Sequence, residues 1–249
     1  MQRITIAPSQ IDDNYIALTP EQHHYLTRVI RLKNGAQFQA IDGTGKLYLA
    51  EISSERSQSA GSEDAQIINI ITPDRELPQP ITLICALPKG NNFDDIVRAC
   101  TELGVTTILP AISDRTLLDP SPQKLQRWRK IAQEAAEQSE RMIVPTIAEP
   151  QSLQTIFSQL PDPSYKYLCE ARGKHPHLLA SIQSTQLINS PIIFAIGPEG
   201  GWTDGEIDLA TQCKFELVSL GVYVLRTITA PIVALSIVTA AIDNTTDAQ

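Results

Sequence analysis

The segment Ile192-Ile-Phe-Ala-Ile196 runs straight into Gly197-Pro-Glu-Gly-Gly-Trp202 and then into Thr203-x-x-Glu206. Five apolar residues without a polar interruption make a stable strand where both faces are covered, as in a parallel sheet layered with helices. Thr203 with Glu206 three residues on is a capping box, so a helix is predicted from there to Cys213. Strand, glycine turn and helix in that order are part of a βαβ unit, which restricts this half of the chain to an α/β layer architecture.

The same texture extends over residues 81–249. Ile81–Leu87, Val105–Pro110, Tyr165–Cys169 and Phe215–Ser219 read as strands, and Phe93–Leu103, Pro122–Arg141 and Pro231–Ile242 as helices. The apolar run from Ala230 to Ile242 is too short to span a bilayer and reads as a buried helix. Upstream, residues 72–80 carry three prolines in nine residues with no periodicity, the mark of a linker. Before it the pattern is different. Short strands are expected around 38–41, 46–52 and 66–71, with a turn at Gly43 and Gly45 and a long exposed loop over 53–66. One helix is expected from Thr19, its N-cap, through Pro20 to Ile30. The predicted organisation is a small β-barrel domain over 1–72, a linker over 73–80 and an α/β domain with a parallel sheet over 81–249.

A chain of 249 residues with 42% apolar side chains can bury one or two cores, and 19% charged residues are too few for a disordered chain. The net charge of −8 argues mildly against nucleic acid as a partner, although phosphate binding needs only a local basic surface. The first ten residues lack the apolar core of a signal peptide, so a cytoplasmic protein with no membrane partner is expected. Cys85, Cys100, Cys169 and Cys213 are far apart in sequence and read as buried thiols. The histidines have no metal-ligand companions, so no metal is expected. GxGxxG after the first strand, GxxxxGK[ST], GxSxG and HExxH are all missing, which argues against dinucleotide, nucleotide-triphosphate, serine-hydrolase and zinc-hydrolase chemistry.

Ligands of parallel sheets bind beyond the carboxyl ends of the strands. Two strand-to-helix loops stand out there. Gly197–Trp202 offers bare backbone that a ligand can approach closely, or is an ordinary tight turn. Leu220–Pro231 holds a single charge, Arg226, which either pairs with a buried carboxylate or presents a planar cation to a substrate. In the small domain, Arg28, Arg31 and Lys33 stand close together beside His23 and His24. They form either a solvated helix end or a local basic surface, with Arg3 and Arg115 as weaker additions.

At these loops the chain resembles the RsmE-type 16S rRNA uridine-N3 methyltransferases of the SPOUT superfamily. His24-Tyr-Leu-Thr-Arg-Val-Ile-Arg-Leu-Lys-Asn-Gly35 is similar to the family's "HL-x-RVLRLKxG". Leu87-Pro-Lys-Gly90 through Thr101-Glu-Leu-Gly-Val105 is similar to "LxKGxxxxxxxxKxTELGV". Arg127-Trp-Arg-Lys-Ile-Ala132 with Glu137-Gln-Ser-Glu-Arg141 is similar to "RWxKIAxxAxEQSxR". Gly197-Pro-Glu-Gly-Gly201 and Leu220 through Ala230 are similar to "GPEGG" and "LGxRILRxETA". Five ordered motifs over most of the chain are specific together, though none is alone. Four positions depart from the pattern: Ile228 replaces a usual Glu, Val222-Tyr223 a common Pro-Arg, and Ala99 a frequent Lys.

The resemblance implies a PUA-like RNA-binding barrel followed by a SPOUT-type α/β domain with a deep trefoil knot. Pattern reasoning would not propose the knot, because true knots are essentially absent from folds. It implies S-adenosylmethionine as cofactor, small-subunit ribosomal RNA as substrate and a homodimer. By position, the cofactor would be held by Ile196, Gly197, Glu199, Gly200, Gly201, Leu220, Gly221, Val224, Leu225, Thr227 and Ala230. RNA would be held by Arg3, His24, Arg28, Arg31, Lys33 and Arg115. Uridine N3 must lose a proton, so a cation beside the uracil carbonyls would help. Arg226 is the first candidate and Arg141 the second. Glu137 would accept the proton, or else bind neighbouring backbone. The alternatives are a superfamily enzyme acting on another RNA, and a weakly catalytic or non-catalytic RNA-binding ribosome assembly factor, which the lost charges motivate.

Overall fold

A computed structural model of the chain describes residues 1–53, 64–73, 76–116, 120–185 and 190–246. Most of the long loop expected over 53–66 lies outside the described residues. The chain divides into two compact units, Met1–Glu76 with Ala136–Val144, and Leu77–Ala135 with Pro145–Gln249. The boundary falls within the proline-rich stretch. The return of Ala136–Val144 to the first unit was not expected from the sequence.

The first unit holds β1 (Arg3–Thr5), β2 (Ile11–Asp12), β3 (Tyr15–Ala17), α1 (Pro20–His24), β4 (Gln37–Ile41), β5 (Leu47–Ile52) and β6 (Asp64–Ile71). They form one six-stranded mixed sheet in the order β1-β4-β5-β6-β3-β2, antiparallel except for β1 beside β4. Ile4 and Ile6 from one end of this path share a single apolar core with Ile16 and Leu18 from the other. The sheet therefore curls round that core, and Leu26 enters it from the helical segment. Thr19 caps α1 as expected, accepting from the Gln22 N–H. The single helix expected to Ile30 becomes five α-helical residues followed by a π-helical turn over Tyr25–Val29.

Glu76 ties Ala136–Val144 into this unit. Its Oε2 accepts from Arg141 Nη2 at 2.7 Å, and its Oε1 accepts from the N–H groups of Met142 and Ile143. Met142 then packs with Ile41 and Leu47.

The second unit is built on a parallel sheet, β10-β8-β7-β12-β11-β13, with β9 also beside β8. The strands are β7 (Ile81–Ala86), β8 (Thr107–Ile112), β9 (Thr146–Ile147), β10 (Gln151–Ser152), β11 (Tyr165–Cys169), β12 (Ile192–Ile196) and β13 (Glu216–Val218). Helices α2 (Asn92–Glu102), α3 (Pro122–Gln138), α4 (Leu153–Ser158), α5 (Leu178–Ser184), α6 (Asp204–Gln212) and α7 (Thr229–Thr246) connect or follow them. All of β12 is buried, as its composition predicts. Beneath α2, the Asp94 carboxylate accepts from Trp128 Nε1 at 3.0 Å and pairs with Arg127, so α2 and α3 are held by one buried acid.

Two expectations change. α3 stops at Gln138 rather than Arg141, because Glu140 adopts φ +60, outside the helical region. α7 is not buried all round. Ala234, Leu235, Val238 and Ile242 face the core, while Ile232, Val233 and Ile237 line an open groove with α5. Among the described residues no helix is long and apolar enough to cross a membrane.

Candidate active site

A cavity of about 630 Å³ opens at the carboxyl ends of β11, β12 and β13. That is the size of a small-molecule or cofactor site, in the place parallel sheets use for ligands. Three loops wall it.

The loop after β12 contributes Ile196, Gly197, Glu199 and Gly201. Gly197 leaves little room for a side chain: a Cβ there would lie 3.1 Å from Trp202 Cε2, so the ring would have to give by a few tenths of an ångström. Trp202, 5% exposed, donates from Nε1 to the Cys169 carbonyl at 3.1 Å, which joins this loop to the end of β11. The Gly201 N–H closes a turn onto the Pro198 carbonyl, with φ +73 at Gly201, where glycine is at ease. Beyond the turn the expected capping box is formed. The Thr203 side chain accepts from the Glu206 N–H, and Glu206 Oε2 accepts from the Thr203 N–H at 2.8 Å. The loop is thus a rigid turn, and Pro198 and Trp202 line the cavity beside its glycines.

Gly200 is placed differently. It does not line the cavity; its carbonyl accepts from the Arg115 guanidinium, which also reaches the Trp202 carbonyl. Arg115, expected on the RNA side, is exposed and braces the glycine loop. The Glu199 carboxylate accepts from the Lys89 N–H at 3.0 Å and anchors the loop after β7.

The loop after β13 contributes Leu220, Gly221, Val224, Leu225, Arg226, Thr227 and Ala230. Among the described residues, the N–H groups of Gly221 to Ile228 make no main-chain hydrogen bond. The next such bonds run from Thr229 and Ala230 to the Arg226 carbonyl and open α7. Unpaired main-chain donors and acceptors are costly if buried and dry, so a cavity edged with them suits a ligand with a polar rim. Arg226 is exposed and, among the described residues, makes no ion pair, which removes the buried-partner reading. Ile228 also lines the cavity, so the departure from the family's Glu falls on its wall.

The loop after β11 contributes Cys169, Glu170, Ala171 and Arg172; of these the sequence named Cys169 alone, as a buried thiol and not as a site residue. The signal was available in principle, since β11 was recognised and its carboxyl end must face the same side as that of β12. Burial pushes the Cys169 thiol up to about 12, so it is a neutral wall.

The other candidates lie in the first unit. Glu137 Oε1 accepts from the Thr5 N–H at 2.6 Å, a backbone contact to a part of the same unit far away in sequence. Arg141 is 7% exposed and held by Glu76, a structural cation. Arg3 is also buried, donating to Gln39 Oε1 at 2.9 Å. His24, Arg28, Arg31 and Lys33 are exposed, and among the described residues none forms an ion pair. Among the described residues no three His, Cys, Asp or Glu side chains gather as a metal site.

Residues 75–239 match the family described as RNA methyltransferase domain, and residues 18–60 the family described as RNA methyltransferase PUA domain. The ribosomal RNA small subunit methyltransferase E of a Synechocystis strain is 42% identical, over 97% of this chain and 78% of its own length. The chain belongs to the ribosomal RNA small subunit methyltransferase E family. The Bacillus subtilis member is 31% identical over 95% of both chains. The solved structure of the Neisseria gonorrhoeae member, bound to S-adenosyl methionine, superposes with a TM-score of 0.84 over 96% of this chain and 97% of that one, at 29% identity. Family membership accounts for the coexistence of a mixed N-terminal sheet and a parallel C-terminal one in a single chain.

Proposed function

We propose that this protein transfers a methyl group from S-adenosylmethionine to N3 of a uridine in 16S ribosomal RNA, acting in the cytoplasm as a homodimer. The observation that carries the reading is the cavity itself. Its loops after β12 and β13 are the two glycine-bearing motifs of the family; both line a ligand-sized space, and in the second the N–H groups of Gly221 to Ile228 make no main-chain hydrogen bond among the described residues.

The wall suits that cofactor. Ile196, Leu220 and Leu225 supply apolar surface, the main-chain N–H groups of the loop after β13 can read an adenine edge, and Glu170 and Glu199 add negative charge among the lining residues. S-adenosylmethionine supplies an electrophilic methyl group on a sulfonium. What the protein supplies is position and charge. Arg226, on the cavity wall, would donate to a uracil carbonyl and stabilise the base as the N3 proton leaves. His24, Arg28, Arg31 and Lys33 would hold the RNA backbone, which needs a local basic surface on an acidic protein. The apolar groove between α5 and α7, lined by Leu179, Ile182, Ile232, Val233 and Ile237, would be covered by a second copy. The deep trefoil knot belongs to the same proposal.

The test is methyl transfer from labelled cofactor to small ribosomal subunits from cells lacking this protein, followed by nucleoside analysis. N3-methyluridine is expected. Arg226→Ala is expected to lower kcat by about 100-fold, the cost of removing one oriented charge-stabilising donor. Cofactor binding with no labelled uridine on subunits or free rRNA would overturn the reading. It would favour the RNA-binding assembly factor, for which Ile228 on the cavity wall is the supporting observation.

A further inference from the structure

We infer that the loop between β11 and α5 grips the RNA backbone at the mouth of the cavity, with Arg172 and Lys174 as its phosphate contacts. The inference rests on the reading of an RNA substrate and adds a contact surface in the second unit.

Charge points to it first. In a chain of net charge −8, Glu170-Ala-Arg-Gly-Lys-His-Pro-His177 carries Arg172, Lys174 and two histidines against a single acid. That acid is engaged locally, since Glu170 Oε1 accepts from the Arg172 N–H at 2.7 Å. Arg172 and Lys174 are both exposed, and among the described residues neither side chain makes an ion pair or a hydrogen bond. Hydrated, unpaired cations of opposite sign to the chain as a whole have no stabilising partner to give up when they meet a phosphate, so contact adds electrostatic attraction at little desolvation cost.

The loop is also held still. At its start the Glu170 N–H donates to the Val218 carbonyl at 2.9 Å, and the preceding Cys169 carbonyl accepts from Trp202. At its end the Ser219 N–H donates to the Pro176 carbonyl at 2.8 Å, and the Leu178 N–H to the Ser219 carbonyl at 2.9 Å. His177 is occupied too, its Nδ1 accepting from the Leu179 N–H. Between these fixed points the chain arches through Gly173, at φ +88. A short arch pinned at both feet presents its cations with little ordering entropy left to lose on binding.

Location then selects the ligand. Arg172 lines the cavity, with its Nη1 3.9 Å from where a Cβ on Gly201 would stand, and Arg226 lines the same cavity from the loop after β13. Lys174, two residues on, is not among the cavity-lining residues. A site for the cofactor's own carboxylate would need only the residue at the wall. A pair in which one cation lines the cavity and the next lies outside it fits a strand whose base enters the cavity and whose backbone stays outside. A guanidinium takes carboxylate and phosphate oxygens by the same chemistry, so the test has to separate the two sources.

The experiment uses the full chain and a 16S rRNA transcript, measuring the dissociation constant as a function of salt, with cofactor binding measured by calorimetry. Arg172→Ala with Lys174→Ala is expected to reduce the slope of log affinity against log salt by about 1.4, at roughly 0.7 per cation on single strands. Affinity at low salt should fall at least tenfold, whatever the sequence of the RNA. Lys174→Ala alone should account for about half of the slope change and leave cofactor affinity alone. Arg172→Lys with Lys174→Arg should retain the wild-type slope. An unchanged slope in the double variant overturns the inference. Weaker cofactor binding in Arg172→Ala, with no slope change in Lys174→Ala, overturns it in favour of the cofactor carboxylate. If the unaltered protein binds no RNA, it is the RNA-methylation reading that fails.

Discussion

Gly197 shows how a single missing side chain shapes the cavity. Its Cα sits against the Trp202 ring, and that ring also holds the end of β11 through its Nε1 hydrogen bond. Gly197→Ala would put a methyl group 3.1 Å from Trp202 Cε2, closer than almost any ordinary contact, so the ring or the loop must shift by a few tenths of an ångström. Two of the three loops that wall the cavity meet at that ring. Cofactor affinity is therefore expected to fall by about tenfold or more, equivalent to about 1.4 kcal/mol. The thermal midpoint should move by only a few degrees. Calorimetric titration with S-adenosylmethionine beside a melting curve checks this, and unaltered affinity would contradict it. The glycines were conspicuous in the sequence, but not their reasons: only the structure separates Gly197 and Gly201, which form the wall, from Gly200, whose carbonyl is braced by Arg115.

The β4–β5 hairpin carries its own pH dependence. The turn was legible from Gly43 and Gly45, whereas the role of Asp42 was not. Asp42 Oδ1 accepts from the N–H groups of Thr44 at 2.8 Å and Lys46 at 3.2 Å, and Oδ2 accepts from the Tyr48 hydroxyl. Burial pushes the Asp42 carboxyl up, but these hydrogen bonds together outweigh it and hold the group below its ordinary 3.8. A carboxyl depressed by folding stabilises the fold above the unfolded-state value, and that stability is lost as pH falls through the folded-state value. Acid unfolding of the first unit should therefore become less steep below pH 3.8 in Asp42→Asn, with lower stability at pH 7, as read by circular dichroism. Identical acid limbs would exclude the role. Elsewhere, legibility followed how much of an element's surroundings was local. β11 and β12 match their predicted bounds: β12 is an unbroken apolar run buried throughout, and β11, although it carries Lys166, is buried at Tyr167 and Leu168 beside it. β1, β2, β9 and β10 are two or three residues long and were not foreseen. β1, for example, exists because Arg3–Thr5 pairs with Gln39–Ile41, far away in sequence.

One acid is a main tie between the first unit and the segment that returns to it late in the chain. Glu76 accepts from Arg141 Nε and Nη2 and from two main-chain N–H groups, and thereby holds 136–144 in the first unit. Arg141 is 7% exposed and Glu76 18% exposed, so solvent screens this pair little. Removing one partner of such a pair leaves a buried charge without its counter-ion, at a cost of about 3–5 kcal/mol. Glu76→Ala should lose stability on that scale in denaturant titrations, while Glu76→Gln, which can still accept hydrogen bonds, should lose less. Equal, small losses in both would show that the ion pair does not hold the unit together. No local pattern marks this feature, because Glu76 lies in a proline-rich stretch that reads as a linker and Arg141 in a helix that reads as continuing through it.

The sequence by itself determined the alternation of buried strands and capped helices, the two glycine-bearing loops at strand ends and, through its ordered motifs, the family. Each of these depends on composition within a few residues or on the order of such segments. The tertiary structure decided which side chains share a space. It brought Arg226, Ile228 and the unforeseen Arg172 to one cavity, and it engaged Glu137, Arg141 and Arg115 in holding backbone and loops. Side chains of the same type take up either role according to what stands opposite them, and that is fixed by strand order and loop packing between segments far apart in the chain.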